Sequence, residues 1–103
     1  MDEKDFALRL ARLRTKKGVS AREMSLAMGQ NPGYVNNIES GKSMPSLTGI
    51  VIICEYLNIT PSEFFEEENP NPERLRNLMA DLKQLDDAQL SLVESLVKNL
   101  IKK

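Results

Sequence analysis

Apolar residues recur at helical spacing along the whole chain, and glycines, prolines and small polar caps cut that pattern into short pieces. Phe6, Leu8, Leu10, Ala11 and Leu13 predict a first helix, stopped by Gly18 behind the basic pair Lys16-Lys17. Ser20 opens a second helix, with Glu23 completing a capping box and Val19 and Met24 placed as its hydrophobic staple. Gly29 stops that helix after Ala27-Met28. Asn31-Pro32 predicts the start of a third, with Asn31 as cap, Pro32 at the first helical position, and Val35 and Ile38 facing inward. Gly41 ends it. Ser46 caps a fourth helix from Leu47 to Leu57, with Leu47, Ile50, Cys54 and Leu57 expected inward. Thr60 and Glu63 repeat the capping logic for a short fifth element stapled by Ile59 and Phe64.

Residues 66–71 are acidic, contain proline and lack apolar side chains, as a linker does. A sixth helix is predicted from Pro72, with Leu75, Leu78, Met79 and Leu82 on one face. A seventh opens at Asp86, boxed by Gln89, and runs to about Lys102. No run alternates with the period of a strand. The expected fold is all-α: a five-helix domain over residues 1–68, then a C-terminal helical hairpin over 69–103. Leu90, Leu92, Val93, Leu96, Val97, Leu100 and Ile101 cover about half of the last helix, and one neighbour needs a stripe little over 100° wide. On the fourth helix Ile52 and Tyr56 fall nearly opposite the expected inward face. Ile52, Tyr56, Leu92, Leu96 and Leu100 are therefore the expected dimer interface, with Ile52 and Tyr56 covered by the hairpin of the same or the other chain; a hairpin folded back on its own domain is the alternative.

Composition narrows the chemistry. The chain has no His and one Cys, which removes the usual bases of nucleophilic triads and nearly every transition-metal ligand set. No paired carboxylates have a catalytic setting and no phosphate loop is present, so no enzyme, cofactor or metal is expected. Asp86 is explained by capping without invoking a metal. The longest apolar run, Ile50 to Cys54, is far short of the roughly 18 residues of a membrane span. The acidic start, Met1 to Asp5, lacks a signal-peptide core, and a lone Cys suits a reducing cytoplasm. The Asn58-Ile59-Thr60 sequon is then idle, and Cys54 reads as a packed core thiol.

Fourteen bases against fifteen acids give a net charge of −1, but the two signs are segregated. Between Phe6 and Cys54 there are seven bases (Arg9, Arg12, Arg14, Lys16, Lys17, Arg22, Lys42) and two acids (Glu23, Glu39), a local +5. A short helix, a glycine turn and a second short helix lie inside this basic window. Such a unit presents its second helix to a major groove.

Phe6 through Phe65 resembles the Cro/cI-type (XRE) helix-turn-helix family, which includes phage repressors. The resemblance is carried by Leu10-x-x-Leu13-Arg14, Lys17-Gly18-Val19-Ser20, Met24 through Gly29, and Val35-Asn36-Asn37-Ile38-Glu39-Ser40-Gly41-Lys42. Pro45-Ser46-Leu47 and Leu57-Asn58-Ile59 continue it. It implies a lambda-repressor-like DNA-binding domain that works as a dimer on double-stranded operator DNA. Base contacts are expected from Asn31, Pro32, Gly33, Asn36 and Asn37, flanked by Gln30 and Tyr34, because amides can bond adenine and apolar edges can meet a thymine methyl. Phosphate contacts are expected from Arg14, Lys17, Ala21, Arg22, Ser40 and Lys42. Ala21 stands where the family usually has Gln, Ser25 where it has Ala, and Gln30 where it has an aliphatic residue. The third helix lacks Arg and Lys, which removes the commonest guanine contact. A protein-interaction module of antitoxin-like or anti-regulator type, built on the same fold, is the alternative function.

Overall fold

The computed structural model describes residues 1–102, and all their regular structure is helical. The helices are α1 (Glu3–Lys17), α2 (Ala21–Ala27), α3 (Tyr34–Glu39), α4 (Leu47–Leu57), α5 (Pro61–Phe64), α6 (Pro72–Leu82) and α7 (Asp87–Ile101). Contacts divide the chain into two compact units, Met1–Pro72 and the residues from Glu73 onward.

In the first unit α1 starts earlier than its apolar pattern suggests. Asp2 and Asp5 form a reciprocal capping box, with the Asp5 N–H donating to Asp2 Oδ1 at 2.9 Å. That bond holds the Asp2 carboxyl below the usual carboxylate range. The Gly18 C-cap lies at φ 81°, a left-handed conformation that glycine adopts without a Cβ penalty. Phe6, Leu10 and Leu13 form one wall of a core completed by Met24, Val35, Ile38, Ile53, Cys54, Leu57, Ile59 and Phe64. Leu8, counted in the apolar pattern of α1, is half exposed.

Arg9 takes a core position on α1 that no apolar periodicity would assign to it. It donates from Nε to the Phe64 carbonyl at 2.7 Å and from Nη2 to the Glu63 carbonyl at 2.8 Å. Glu63 and Phe64 are the last two residues of α5, so the guanidinium ties α1 to the C-terminal end of that helix. Burial lowers the Arg9 pKa, with Glu66 and Glu67 acting in opposition. Above this clamp the Phe6 and Phe64 rings pack at 4.9 Å between centroids.

The inward face of α4 differs from the expected one. Leu47 is 79% exposed, whereas Ile53 is fully buried. The Ser46 hydroxyl accepts the Gly49 N–H at 3.0 Å, so Leu47 becomes the first helical residue, at the rim of the core. The buried stripe runs through Gly49, Ile53, Cys54 and Leu57, which turns the inward direction toward Tyr56. Tyr56 accordingly packs half-buried against the core of its own unit, and Ile52 is half-buried beside it. Of the expected pair on α4, Tyr56 is thus packed on the core of its own unit. Burial pushes the Cys54 thiol up, so it stays protonated at neutral pH. A disulfide reagent should modify Cys54 only as fast as the domain unfolds, and rapid labelling of the native chain would contradict its packing.

Helix α6 begins at Pro72, where the first unit ends, and α7 opens with a capping box. The Gln89 N–H donates to Asp86 Oδ1 at 2.8 Å and the Asp86 N–H to Gln89 Oε1 at 3.0 Å. No helix among the described residues is long and apolar enough to cross a membrane.

Candidate nucleic-acid interface

The candidate interface is built on α2, the turn after it, and α3. Gly29 at φ 75° reverses the chain, and the Gln30 N–H reaches back to the Ser25 carbonyl at 2.9 Å. Met24, Val35 and Ile38 are buried between the arms, and Met28 packs half-buried against them.

Ser25 supplies the polar link. Its hydroxyl donates to the Ala21 carbonyl at 2.7 Å and accepts the Val35 N–H at 3.0 Å. Val35 lies in the first turn of α3, whose N-cap Gly33 has no side chain to satisfy that donor. A hydroxyl from one helix therefore caps the next. Ser25→Ala should cost about 1–2 kcal/mol, because a buried N–H loses its acceptor. Chemical denaturation measures this, and a neutral result would show that the Val35 N–H finds another partner.

The third helix starts later than the Asn31-Pro32 signature suggests. Asn31 Oδ1 accepts the Gly33 N–H at 3.1 Å, and the Asn31 carbonyl accepts the Tyr34 N–H at 3.2 Å. Asn31 closes a local turn instead of capping the helix, and α3 begins at Tyr34. The two arrangements use the same residues, since a short amide bonding a nearby N–H serves either.

Tyr34, expected to flank the base readers, leans inward and packs half-buried against the core. Its hydroxyl lies over Gly49 of α4, where a Cβ would come within 2.7 Å of it. Arg14, expected at phosphate, is committed inside the domain. It donates from Nε and Nη2 to the two carboxylate oxygens of Glu39 at 2.7 and 2.9 Å, and from Nη1 to the Val19 carbonyl at 2.9 Å. The Glu39 bond raises the Arg14 pKa, against a smaller opposing effect of burial. This fork joins α1 to the end of α3 and to the loop entering α2.

The residues left open form one surface. Asn31, Pro32 and Asn36 are exposed, and Gln30, Gly33 and Asn37 are half exposed. The amides of Gln30, Asn36 and Asn37 make no side-chain hydrogen bond among the described residues, leaving donors and acceptors for base edges. Arg22 and Lys42 are exposed at the start of α2 and just beyond α3. Lys17 lies at the end of α1, its ammonium 5.3 Å from the centre of the Tyr56 ring. Ser40 is exposed, with its hydroxyl donating to the Asn37 carbonyl at 3.3 Å. Ala21 is half-buried and offers only its backbone N–H. Arg9 and Arg14 are the bases whose internal roles were not readable from charge alone. No group of three His, Cys, Asp or Glu among the described residues is placed to hold a metal ion.

A helix-turn-helix family model matches residues 10–64, which spans the C-terminal half of α1 and all of α2, α3, α4 and α5. No curated protein and no solved structure matches the chain. The matched segment holds both the partly buried fork that fixes α3 and the open amide surface that α3 presents. The chain belongs to the Cro/cI-type (XRE) helix-turn-helix family and is a DNA-binding regulator of that type.

Proposed function

We propose that the protein is a sequence-specific transcriptional repressor that binds operator DNA as a homodimer in the cytoplasm. In this reading α3 lies in the major groove, and occupancy of the site excludes other proteins from it. The observation that carries the reading is the contrast within the helix-turn-helix. Ser25, Arg14 and Glu39 are pinned by internal bonds, whereas the amides of Gln30, Asn36 and Asn37 are left unengaged. Two such surfaces about a two-fold axis would meet half-sites about 34 Å apart, one turn of DNA.

The exposed bases beside this surface, Lys17, Arg22 and Lys42, are three per copy. A dimer that neutralises about 6 phosphates with them should show a slope of log K against log salt near −5. A mobility shift on DNA flanking its own gene, repeated across salt concentrations, tests this. Arg22→Ala or Lys42→Ala removes two contacts per dimer and should weaken binding to all sequences alike, flattening the slope by about 2. Absence of DNA binding at low salt, or an affinity indifferent to salt, would overturn the proposal. In vitro selection should return half-sites rich in A·T at the contacted positions, since α3 offers no Arg or Lys to guanine.

A further inference from the structure

The hairpin of α6 and α7 is unusual in what it leaves uncovered. No side chain of α7 is buried, and Pro72 is the only buried residue of α6. Thirty residues ordered without a buried side chain gain too little from burial to offset the chain entropy they lose. The exposure is also uneven around α7. Val93 and Leu90 are the better covered, whereas Leu92, Leu96 and Leu100 remain 73%, 58% and 74% exposed. These three recur every fourth residue and form a single seam.

Nine large apolar side chains of the hairpin are exposed. At on the order of 150–200 Å² for a free side chain, they leave roughly 800–1000 Å² of apolar surface in total across α6 and α7. It matches the roughly 800 Å² per partner of a stable interface. The seam contains no charge. Between Ala88 and Ile101 only Glu94 and Lys98 are ionised, and both lie on the opposite, polar arc with Ser91 and Ser95. Nothing on the seam selects a charged partner, and nothing on it repels its own copy.

We infer that the seam Leu92, Leu96 and Leu100, flanked by the apolar face of α6, is covered by the same seam of a second copy. This rests on the homodimer reading above and specifies the surface. The spacing is self-complementary in an antiparallel sense. A two-fold axis at Leu96 sets it against Leu96 of the partner subunit and Leu92 against Leu100 of the partner subunit. Two hairpins joined this way make a four-helix bundle whose interior is supplied by both copies. The hairpin then orders fully only on association.

Sedimentation of the full chain and two variants tests the surface. Leu96→Glu sets two carboxylates at the axis and should weaken self-association by at least about a hundredfold. Ser95→Glu, on the polar arc, should leave it unchanged. A second readout does not depend on weakening anything: Leu96→Cys, oxidised with copper phenanthroline, should give covalent dimers, and Ser95→Cys should not. A wild-type dimer that persists in Leu96→Glu, with no crosslink in Leu96→Cys, overturns the seam but leaves a homodimer standing. A wild-type monomer at tens of micromolar overturns both. Binding to a single DNA half-site, measured alongside, should survive in Leu96→Glu; a wild type that dimerises but binds no half-site would overturn the DNA surface and leave the seam standing.

Discussion

Arg14→Met is expected to lower the unfolding free energy by about 2–3 kcal/mol, because it strands Glu39 and frees the Val19 carbonyl together. The side chains are 19% and 13% exposed, so water screens the pair only in part. That places it between a surface ion pair, worth about 0–1 kcal/mol, and a fully buried one, whose breakage costs about 3–5 kcal/mol. The double change Arg14→Met with Glu39→Leu should cost clearly less than the two single changes added together, since no charge is left unpaired. Urea denaturation of the four proteins closes the cycle. Additive losses would mean that the fork is a surface contact without coupling. DNA affinity should fall in Arg14→Met only as far as folding does, because Arg14 makes no outward-facing bond.

Asn36→Ala combined with Asn37→Ala should weaken binding to the true operator by about 2–4 kcal/mol, or roughly 30- to 700-fold. Random DNA should be bound nearly as before, since neither residue carries charge. Both side chains lie on α3 outside the core, so stability should hold or rise slightly, Ala being the better helix former. Titration of operator and scrambled DNA with both proteins separates these effects. Equal losses on both sequences would assign the amides to the backbone, and no loss on either would remove them from the interface.

Much of this architecture was legible because its signals are local. The boxes at Ser20 and Glu23, Thr60 and Glu63, and Asp86 and Gln89 each close within three residues, and each appears as expected. The start of α3 was not legible. Asn31-Pro32 reads as a cap, but the donor that needs capping is met by Ser25, ten residues earlier on another helix. The face of α4 was mis-phased for a different reason. Ile50 to Cys54 contains no polar residue to mark the outside, so Leu47 and Ile53 could not be ranked from periodicity. Charge counting found the basic window but could not divide it. Arg9 finds its carbonyls 54 and 55 residues away and Arg14 its carboxylate 25 away, distances over which sequence carries no pairing rule.

The contact of Tyr34 on Gly49 has a consequence for how operator preference can drift. The aromatic ring at the start of α3 rests on a stretch of α4 left bare by a missing Cβ. A methyl group there would meet the Tyr34 hydroxyl at 2.7 Å and also crowd Pro45 and Ser46 at 3.2 and 3.3 Å. The softest response is for the tyrosine to lift, tilting the reader a fraction of an ångström while the Arg14 fork holds its far end. Base-edge hydrogen bonds tolerate only a few tenths of an ångström. One carbon added behind the helix could then re-aim it toward different DNA, with every outward-facing residue unchanged.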